Sequence, residues 1–355
     1  MKIAYTGTIF FDQKYGGISR YFTELVKRIN TDARIIAPLS KNIYLNDVAK
    51  NKKFSFSFNR LPQYKFLKEI NYQVSKKIIQ NFKPDIIHET YYSKKILNYN
   101  GFKKVVSVYD LIHEKFNEKF YGKKDTKKQK IIDHVDHFIC ISNQTKKDLV
   151  DFYKIPEEKV SVVYLGGDHL KNNIIPVKEK IIDKPYILYT GSKRKYKNFD
   201  ILIKSLPQIK NKDISLVCFG GEKLSNNELL ENKSNIKINQ INGDDKTLLN
   251  LIDNSLCFIN TSLYEGFSIP NIESLFSKCP LICSNIPVFK EICGNAALYF
   301  DPNSSEDLSK CIDEIISNSV LRNKIIKESI NRSKNFTWDN CKNKTLEVYN
   351  KVIED

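Results

Sequence analysis

SLCFINTSLYEGFSIPNIESLF (255–276) holds an apolar strand run, an irregular loop and the first turns of a helix in direct succession. The run ending near Asn260 is apolar without a polar alternation, the pattern of a strand covered on both faces in a parallel sheet. Gly266 keeps the next segment irregular, and Pro270 suits a first helical turn. Outward from this stretch the same unit recurs. Toward the amino end of the second half stand YILYTG (186–191), ISLVCFGG (214–221) and NIKIN (235–239); after it come PLICS (280–284) and AALYF (296–300). The first half repeats the theme with KIAYT (2–6), RIIAP (34–38), DIIHE (85–89), KVVSVYD (104–110), HFICIS (137–142) and VSVVYLG (160–166). Between them run amphipathic stretches such as ISRYFTELVKRI (18–29), with Ile18, Phe22, Leu25 and Ile29 at helical spacing. Strands alternating with helices define an α/β fold with parallel sheets. Two such series, separated by a polar linker near 167–184, predict two Rossmann-like domains. The length of 355 residues agrees, being more than one core usually holds. Residues 40–82, rich in Lys, Asn and Phe, are longer than a standard connection and are expected to cover a binding face. From about Ser304 the pattern is helical and carries the single Trp, Trp338.

Composition excludes collagen-like, disordered and disulfide-scaffold chains: 41% of residues are hydrophobic and 28% charged, with 13 Gly and 11 Pro. No run reaches the roughly 18 apolar residues of a membrane span. The amino terminus, interrupted by Asp12, reads as a first strand and not a secretion signal. The eight Cys lie mostly in apolar runs, and the Cys279–Cys283 spacing has no second ligand pair nearby, so reduced thiols in a cytoplasmic protein are expected. The net charge is +16, unevenly placed: +13 in residues 1–170 and +3 in 171–355. An anionic partner is implied for the first half. Without an RNP, zinc-finger or helix-turn-helix signature, nucleic acid is not expected to be that partner.

In open parallel sheets ligands bind beyond the carboxyl ends of the strands, so the loops after strands hold the candidate residues. Gly16–Gly17 follow the first strand, where they serve phosphate approach at a helix start or backbone conformation alone. YTGSKRKYKN (189–198) places Gly191, Lys193, Arg194, Lys195 and Lys197 between a strand and a helix, fit for a diphosphate or a solvated face. In 262–276, Glu265 is expected on the loop and Glu273 in the opening helical turn. The N–H groups around Phe267, Ser268 and Ile269 suit an anion. Glu273 suits paired hydroxyls or serves only the helix dipole. Asp244–Asp245 precede KTLLNLI and read as a helix cap and not as metal ligands.

EGFSIPNIE (265–273) resembles the E-x7-E signature of retaining GT-B glycosyltransferases of glycosyltransferase family 4. YGGISRY (15–21), VYDLIHE (108–114), CISNQTKKDL (140–149), YTGSKRKYKN (189–198), FGGE (219–222) and GNAALYFDP (294–302) stand in the order of that family's landmarks, over essentially the whole chain. Among its members the chain looks most similar to bacterial enzymes of O-antigen or capsule polysaccharide synthesis, often mannosyltransferases.

The resemblance implies a GT-B fold: two Rossmann-like domains facing across a cleft, residues 1–168 for the acceptor and 169–335 for the nucleotide sugar, with a helix at 336–355 crossing back to the first. It implies transfer with retention from a nucleoside diphosphate sugar, first of all GDP-mannose, with UDP-sugars as the alternative. The acceptor would be a glycan or a polyprenyl-diphosphate-linked glycan. Neither a cofactor nor a metal is required by the front-face mechanism proposed for such enzymes. By the same resemblance Glu273 binds the ribose, Glu265 with the backbone of Gly266 and Phe267 holds the donor sugar, and Lys197 neutralises the diphosphate beside Lys193 or Arg194. Gly17 approaches the phosphate, and Gly221 in FGGE lies near the nucleotide. Many members carry His directly before the Asp of the fourth-strand loop; here Tyr109 precedes Asp110, and His113 follows. Asp110 and His113 are the candidates on that loop. The paired lysines at 76–77, 94–95, 103–104, 123–124 and 127–128 are expected to meet anionic phospholipid or the acceptor's diphosphate, on the inner face of the plasma membrane.

Overall fold

The computed structural model describes residues 1–60, 62, 64–116, 128–173, 179–193, 195–225 and 232–355. It contains two compact units, Met1–Gly166 together with Trp338–Asp355, and Gly167–Thr337. The crossings fall at 166/167 and 337/338, against 168/169 and 335/336 in the sequence reading.

The first unit carries a seven-stranded sheet of β1 (Lys2–Thr6), β2 (Asp32–Ser40), β3 (Lys53–Ser57), β4 (Ile86–Glu89), β5 (Lys103–Val108), β6 (His137–Cys140) and β7 (Val160–Val162). All neighbours are parallel, in the order β3-β2-β1-β4-β5-β6-β7. The second unit has β8 (Tyr186–Thr190), β9 (Ser215–Phe219), β10 (Lys237–Ile241), β11 (Cys257–Asn260), β12 (Leu281–Ser284) and β13 (Ala297–Phe300). Its order is β10-β9-β8-β11-β12-β13, again parallel throughout. Strand order therefore reverses between β1 and β4 in one unit and between β8 and β11 in the other. Loops leaving the two strands at such a reversal diverge to opposite faces of the sheet and open a crevice. The stretches 262–276 and 189–198 leave β11 and β8, and Gly16–Gly17 follow β1.

Two expectations need correction. KFSFS in 53–57, within the segment read as a cover, forms β3 and extends the sheet at its edge. Gly167–Leu170 are not an exposed linker: Asp168, His169 and Leu170 are 4%, 2% and 1% exposed, and the absent side chain of Gly167 leaves the space occupied by Ile272.

The carboxyl-terminal helix Trp338–Glu354 belongs to the first unit. Its buried face carries Trp338, Cys341, Val348, Tyr349 and Val352. The Tyr349 hydroxyl donates to Tyr5 Oη at 3.0 Å and meets His88 Nδ1 at 2.5 Å, while His88 Nε2 meets Ser107 Oγ at 2.9 Å. Burial pushes the His88 imidazole down to about 3, so it stays neutral and holds the helix by hydrogen bonding alone. The second unit's main core cluster lines one face of its sheet, with Tyr189, Phe199, Leu202, Ile259, Ile282 and Phe300 among its members. All eight cysteines are buried.

Candidate active site

Asn260, at the carboxyl end of β11, organises the stretch that follows. Its Oδ1 accepts from the Ser262 N–H (3.2 Å) and hydroxyl (2.9 Å), and its Nδ2 donates to Ser268 Oγ (3.0 Å) and Asn271 Oδ1 (2.7 Å). One buried amide thus binds both ends of the loop. Ser268 caps the helix Ile269–Phe276 by accepting from the Asn271 N–H, at a φ of +102° that a residue with a side chain rarely adopts. Pro270 lies in the first turn.

The same loop is laced to the one after β8. Thr261 Oγ1 donates to the Lys197 carbonyl (2.7 Å), and the Leu263 N–H to the Tyr196 carbonyl (2.8 Å). That lacing brings Lys197 Nζ to 2.5 Å from Glu265 Oε1, which also accepts from Ser262 Oγ at 2.7 Å. Lys197 and Glu265 keep 23% and 12% side-chain exposure, so the pair stands at the surface of the crevice. Glu273 is the fifth residue of the following helix, past the opening turn where the sequence reading puts it, and is largely buried; its Oε1 lies 3.1 Å from His169 Nε2. His169, two residues beyond Gly167, was not singled out in the sequence. Its signal was its place three residues past the apolar run VSVVYLG (160–166), in a stretch that read as linker.

Among the other candidates of this unit, Gly191 and Gly221 form one structure. Both have positive φ, +107° and +74°, and a Cβ on Gly221 would fall 2.2 Å from the Gly191 carbonyl oxygen. Only glycine fits at 221. Lys193 is turned toward this loop pair: its N–H donates to Glu222 Oε2 (2.8 Å), and its Nζ to the Glu222 carbonyl and to Gln240 Oε1 (3.1 Å). It is not gathered with Lys197. Arg194 lies outside the described residues. Phe267 is a core residue, edge-on to Phe336 at 5.8 Å, so only the backbone of Gly266–Phe267 is a candidate for donor contact. Ile269 opens the helix. Asp244 caps the helix Asp245–Asn254, accepting from the Thr247 N–H and hydroxyl at 3.0 Å each, as the sequence reading has it. Among the described residues no group of three His, Cys, Asp or Glu side chains is placed to hold a metal.

In the first unit Gly17 is the first residue of the helix Gly17–Arg28. Asp110 follows β5, and its Oδ1 accepts from the Ile112 N–H at 3.1 Å. Burial raises its carboxyl, against the opposing pull of the Lys128 ammonium. His113 is half-buried on the short helix Ile112–Lys115. Lys128, expected on a basic surface, is instead buried: it pairs with Glu114 at 2.9 and 3.0 Å, and Tyr153 Oη donates to Glu114 Oε1 at 2.7 Å. An ammonium there is held inside by its carboxylate. Lys123, Lys124 and Lys127 lie outside the described residues.

One further group was missed. Glu89, the last residue of β4, is 1% exposed, and its Oε1 accepts from Thr6 Oγ1 (2.6 Å) and Thr8 Oγ1 (2.8 Å). Desolvation raises its carboxyl to about 7, the hydroxyls pulling the other way. The native state then holds this proton to higher pH than the unfolded chain, whose carboxyl has its ordinary value of 4.5. The contribution to stability is present below 4.5, declines as pH rises through the window to about 7, and is absent above it. Glu89→Gln, which keeps an acceptor for both threonines, is therefore expected to stabilise the protein at pH 8 by roughly 3 kcal/mol, with the gain shrinking toward pH 5. Urea unfolding of both proteins at the two pH values checks it; a gain that does not change with pH contradicts it.

Comparison with known proteins bears on this geometry. Residues 15–169 match the family model described as Glycosyltransferase Family 4, and residues 171–332 match Glycosyl transferases group 1. The chain is 23% identical over 233 residues to O-antigen chain mannosyltransferase B of Escherichia coli, covering 61% of each protein. It is 28% identical over 186 residues to O-antigen chain mannosyltransferase RfbU of Salmonella typhimurium, covering 50% of each. These matches thus span about half to three fifths of the relatives' lengths. Among solved structures, sucrose-phosphate synthase from Thermosynechococcus elongatus superposes with a TM-score of 0.81 at 16% identity over 99% of both chains. Two parallel α/β units and two adjoining family matches define a glycosyltransferase of the GT-B class. Within that class the chain resembles the O-antigen mannosyltransferases.

Proposed function

We propose that the protein transfers a sugar, with retention at the anomeric carbon and without a metal, from a nucleoside diphosphate sugar to a glycan or polyprenyl-diphosphate-linked acceptor of bacterial surface polysaccharide. GDP-mannose is the first donor, a choice supported by the names of the relatives. The observation that carries the reading is the Lys197–Glu265 pair beside the helix start at Ser268, at the strand reversal of the second unit. A cation and a helix amino terminus side by side suit a departing diphosphate, where charge stabilisation contributes most to rate. Glu273, one helix turn further, is suited to the paired hydroxyls of a ribose. In the reaction the bond from the anomeric carbon to the phosphate oxygen breaks, the acceptor oxygen takes its place on the same face, and the acceptor's proton passes to the leaving phosphate. Asp110 and His113 act on the acceptor side.

Attachment to the inner face of the plasma membrane is part of this reading. Its support is the helix Lys65–Phe82, beside which Tyr64 is 60% exposed and on which Phe66 is 61% and Ile70 49% exposed, with exposed Lys65 and Lys77. Apolar side chains flanked by lysines suit an anionic surface. Among the described residues no helix is long and apolar enough to cross a membrane.

Turnover with GDP-mannose and with UDP-sugars, using lipid-linked acceptors and NMR of the product, tests the proposal. Release of one nucleotide diphosphate per α-linked sugar is the expected result. A β-linked product contradicts retention, and interconversion of the donor without an acceptor identifies an epimerase instead.

A further inference from the structure

The first unit has its own strand reversal, between β1 and β4, and a cavity of about 230 Å³ lies there. Thr6 and Thr8 from the β1 end, Glu89 from the β4 end and the aromatic rings of Tyr72, Tyr91 and Tyr92 are in its wall. The two loops are tied together: the Thr90 N–H donates to Thr6 Oγ1 (3.1 Å), Thr90 Oγ1 donates to the Thr6 carbonyl (2.9 Å), and the Ile9 N–H donates to Thr90 Oγ1 (3.2 Å). The wall is thus a built structure and not a chance gap between mobile side chains.

The charges around the cavity select what can enter. Glu89 is a buried carboxyl with no cation within ion-pair distance among the described residues, and its hydrogen bonds from Thr6, Thr8 and the Tyr91 N–H all fall on Oε1. A buried carboxyl without an ionic partner costs stability, and such groups gather at functional sites. The two lysines at the cavity are committed elsewhere: Lys68 Nζ lies 2.6 Å from Asp12 Oδ1, and Lys95 Nζ 2.8 Å from Glu69 Oε2. An anion, such as a diphosphate, would face Glu89. A cation would meet a carboxyl that burial keeps protonated up to about pH 7, beside lysines already paired with carboxylates. What remains is an uncharged ligand rich in hydroxyls. The volume is below the roughly 300–1,000 Å³ of pockets for drug-sized ligands and suits a single ring. Aromatic walls pack the apolar C–H faces of a sugar, while the carboxyl and threonines take its hydroxyls.

We propose that this cavity binds one uncharged pyranose ring of the acceptor and that Glu89 is a specificity-determining residue, reading the ring's hydroxyls. In assigning the ring to the acceptor, the proposal rests on the transferase reading above. The sugar-binding site itself does not. Its selectivity follows from a general asymmetry: a buried group left without its partner is costly, so an analogue lacking the hydroxyl that Glu89 accepts is rejected more strongly than one differing by an apolar group.

Saturation-transfer NMR of the full chain tests this, with methyl α-mannoside, methyl β-galactoside and methyl N-acetyl-β-glucosaminide as probes, choline as a cation probe, and GDP and UDP as controls. Wild type and Glu89→Gln are compared. The expected result is saturable binding of one glycoside, weakened about tenfold or more in Glu89→Gln, with nucleotide binding equal in the two proteins. A calorimetric transition of the first unit retained in Glu89→Gln shows that the unit carrying the substitution is folded. Three results would overturn the proposal: no glycoside bound by wild type, equal glycoside binding by both proteins, or binding of choline in place of the glycosides. Nucleotide bound without any glycoside sinks this site and leaves the transferase reading standing; a glycoside bound without nucleotide does the reverse.

Discussion

Lys197→Ala is expected to lower turnover by about 10²–10³-fold, the loss usual for one electrostatic contact to a developing charge. Lys197 Nζ, 2.5 Å from Glu265 Oε1, is the one described cation of the 193–197 cluster that reaches the loop after β11. Without it the departing diphosphate loses its neutralising charge and Glu265 loses its ionic partner. Folding should survive, because Ser262 Oγ still donates to Glu265 and the lacing of the two loops uses the backbone of residues 196 and 197. Glu273→Ala is expected to act differently, raising the KM for donor more than it lowers kcat, since a ribose contact is made alike in ground and transition states. Steady-state kinetics with varied donor separates the two. A Lys197→Ala protein with near-wild-type kcat would remove that residue from the reaction.

Trp338→Ala is expected to destabilise the first unit by about 3–5 kcal/mol, the cost of removing a large buried aromatic. Trp338 is fully buried, stacks on Tyr21 with ring centroids 6.4 Å apart, and fills the space that a side chain on Gly166 would need. A loss of this size is a large fraction of a domain's stability. The second unit has its own core, so nucleotide binding should persist at temperatures where the first unit has melted. Calorimetry with and without nucleotide checks this, and a single transition unmoved by the substitution contradicts it.

Apart from the mixed KINQI of β10, read two residues early as NIKIN, the strands were legible as apolar runs between helices. β3 was not, because KFSFS alternates and lies at the sheet edge with Phe56 63% exposed, which leaves no buried-strand signature. The loop 262–276 was readable down to its helix start, since Gly266 and Pro270 act through local backbone chemistry. The directions of the lysines were not. Lys193, Lys195 and Lys197 look equivalent in sequence, yet one turns to Glu222, one is exposed and one meets Glu265, according to partners 29 and 68 residues away. Glu89 was hidden for the same reason. At the end of DIIHE it reads as the polar end of a strand, and the threonines that bury it come from 83 and 81 residues earlier. His169 was lost to the reading of Gly166–Gly167 as the start of a linker, when burial beside Ile272 and Glu273 makes that turn part of the second unit. Lys128 was misplaced because a charge run shows nothing of a carboxylate 14 residues before it.

The central claim is that the crevice of the second unit binds a nucleoside diphosphate sugar through Lys197, Glu265 and Glu273. A thermal-shift titration tests it most directly, using GDP-mannose, UDP-glucose, UDP-galactose, UDP-N-acetylglucosamine, the free nucleotides and NAD against wild type and Glu273→Ala. The account predicts a rise in Tm with one nucleotide's sugars, growing with ligand concentration and lost in the variant. No shift with any sugar nucleotide, or an equal shift in Glu273→Ala, would contradict it.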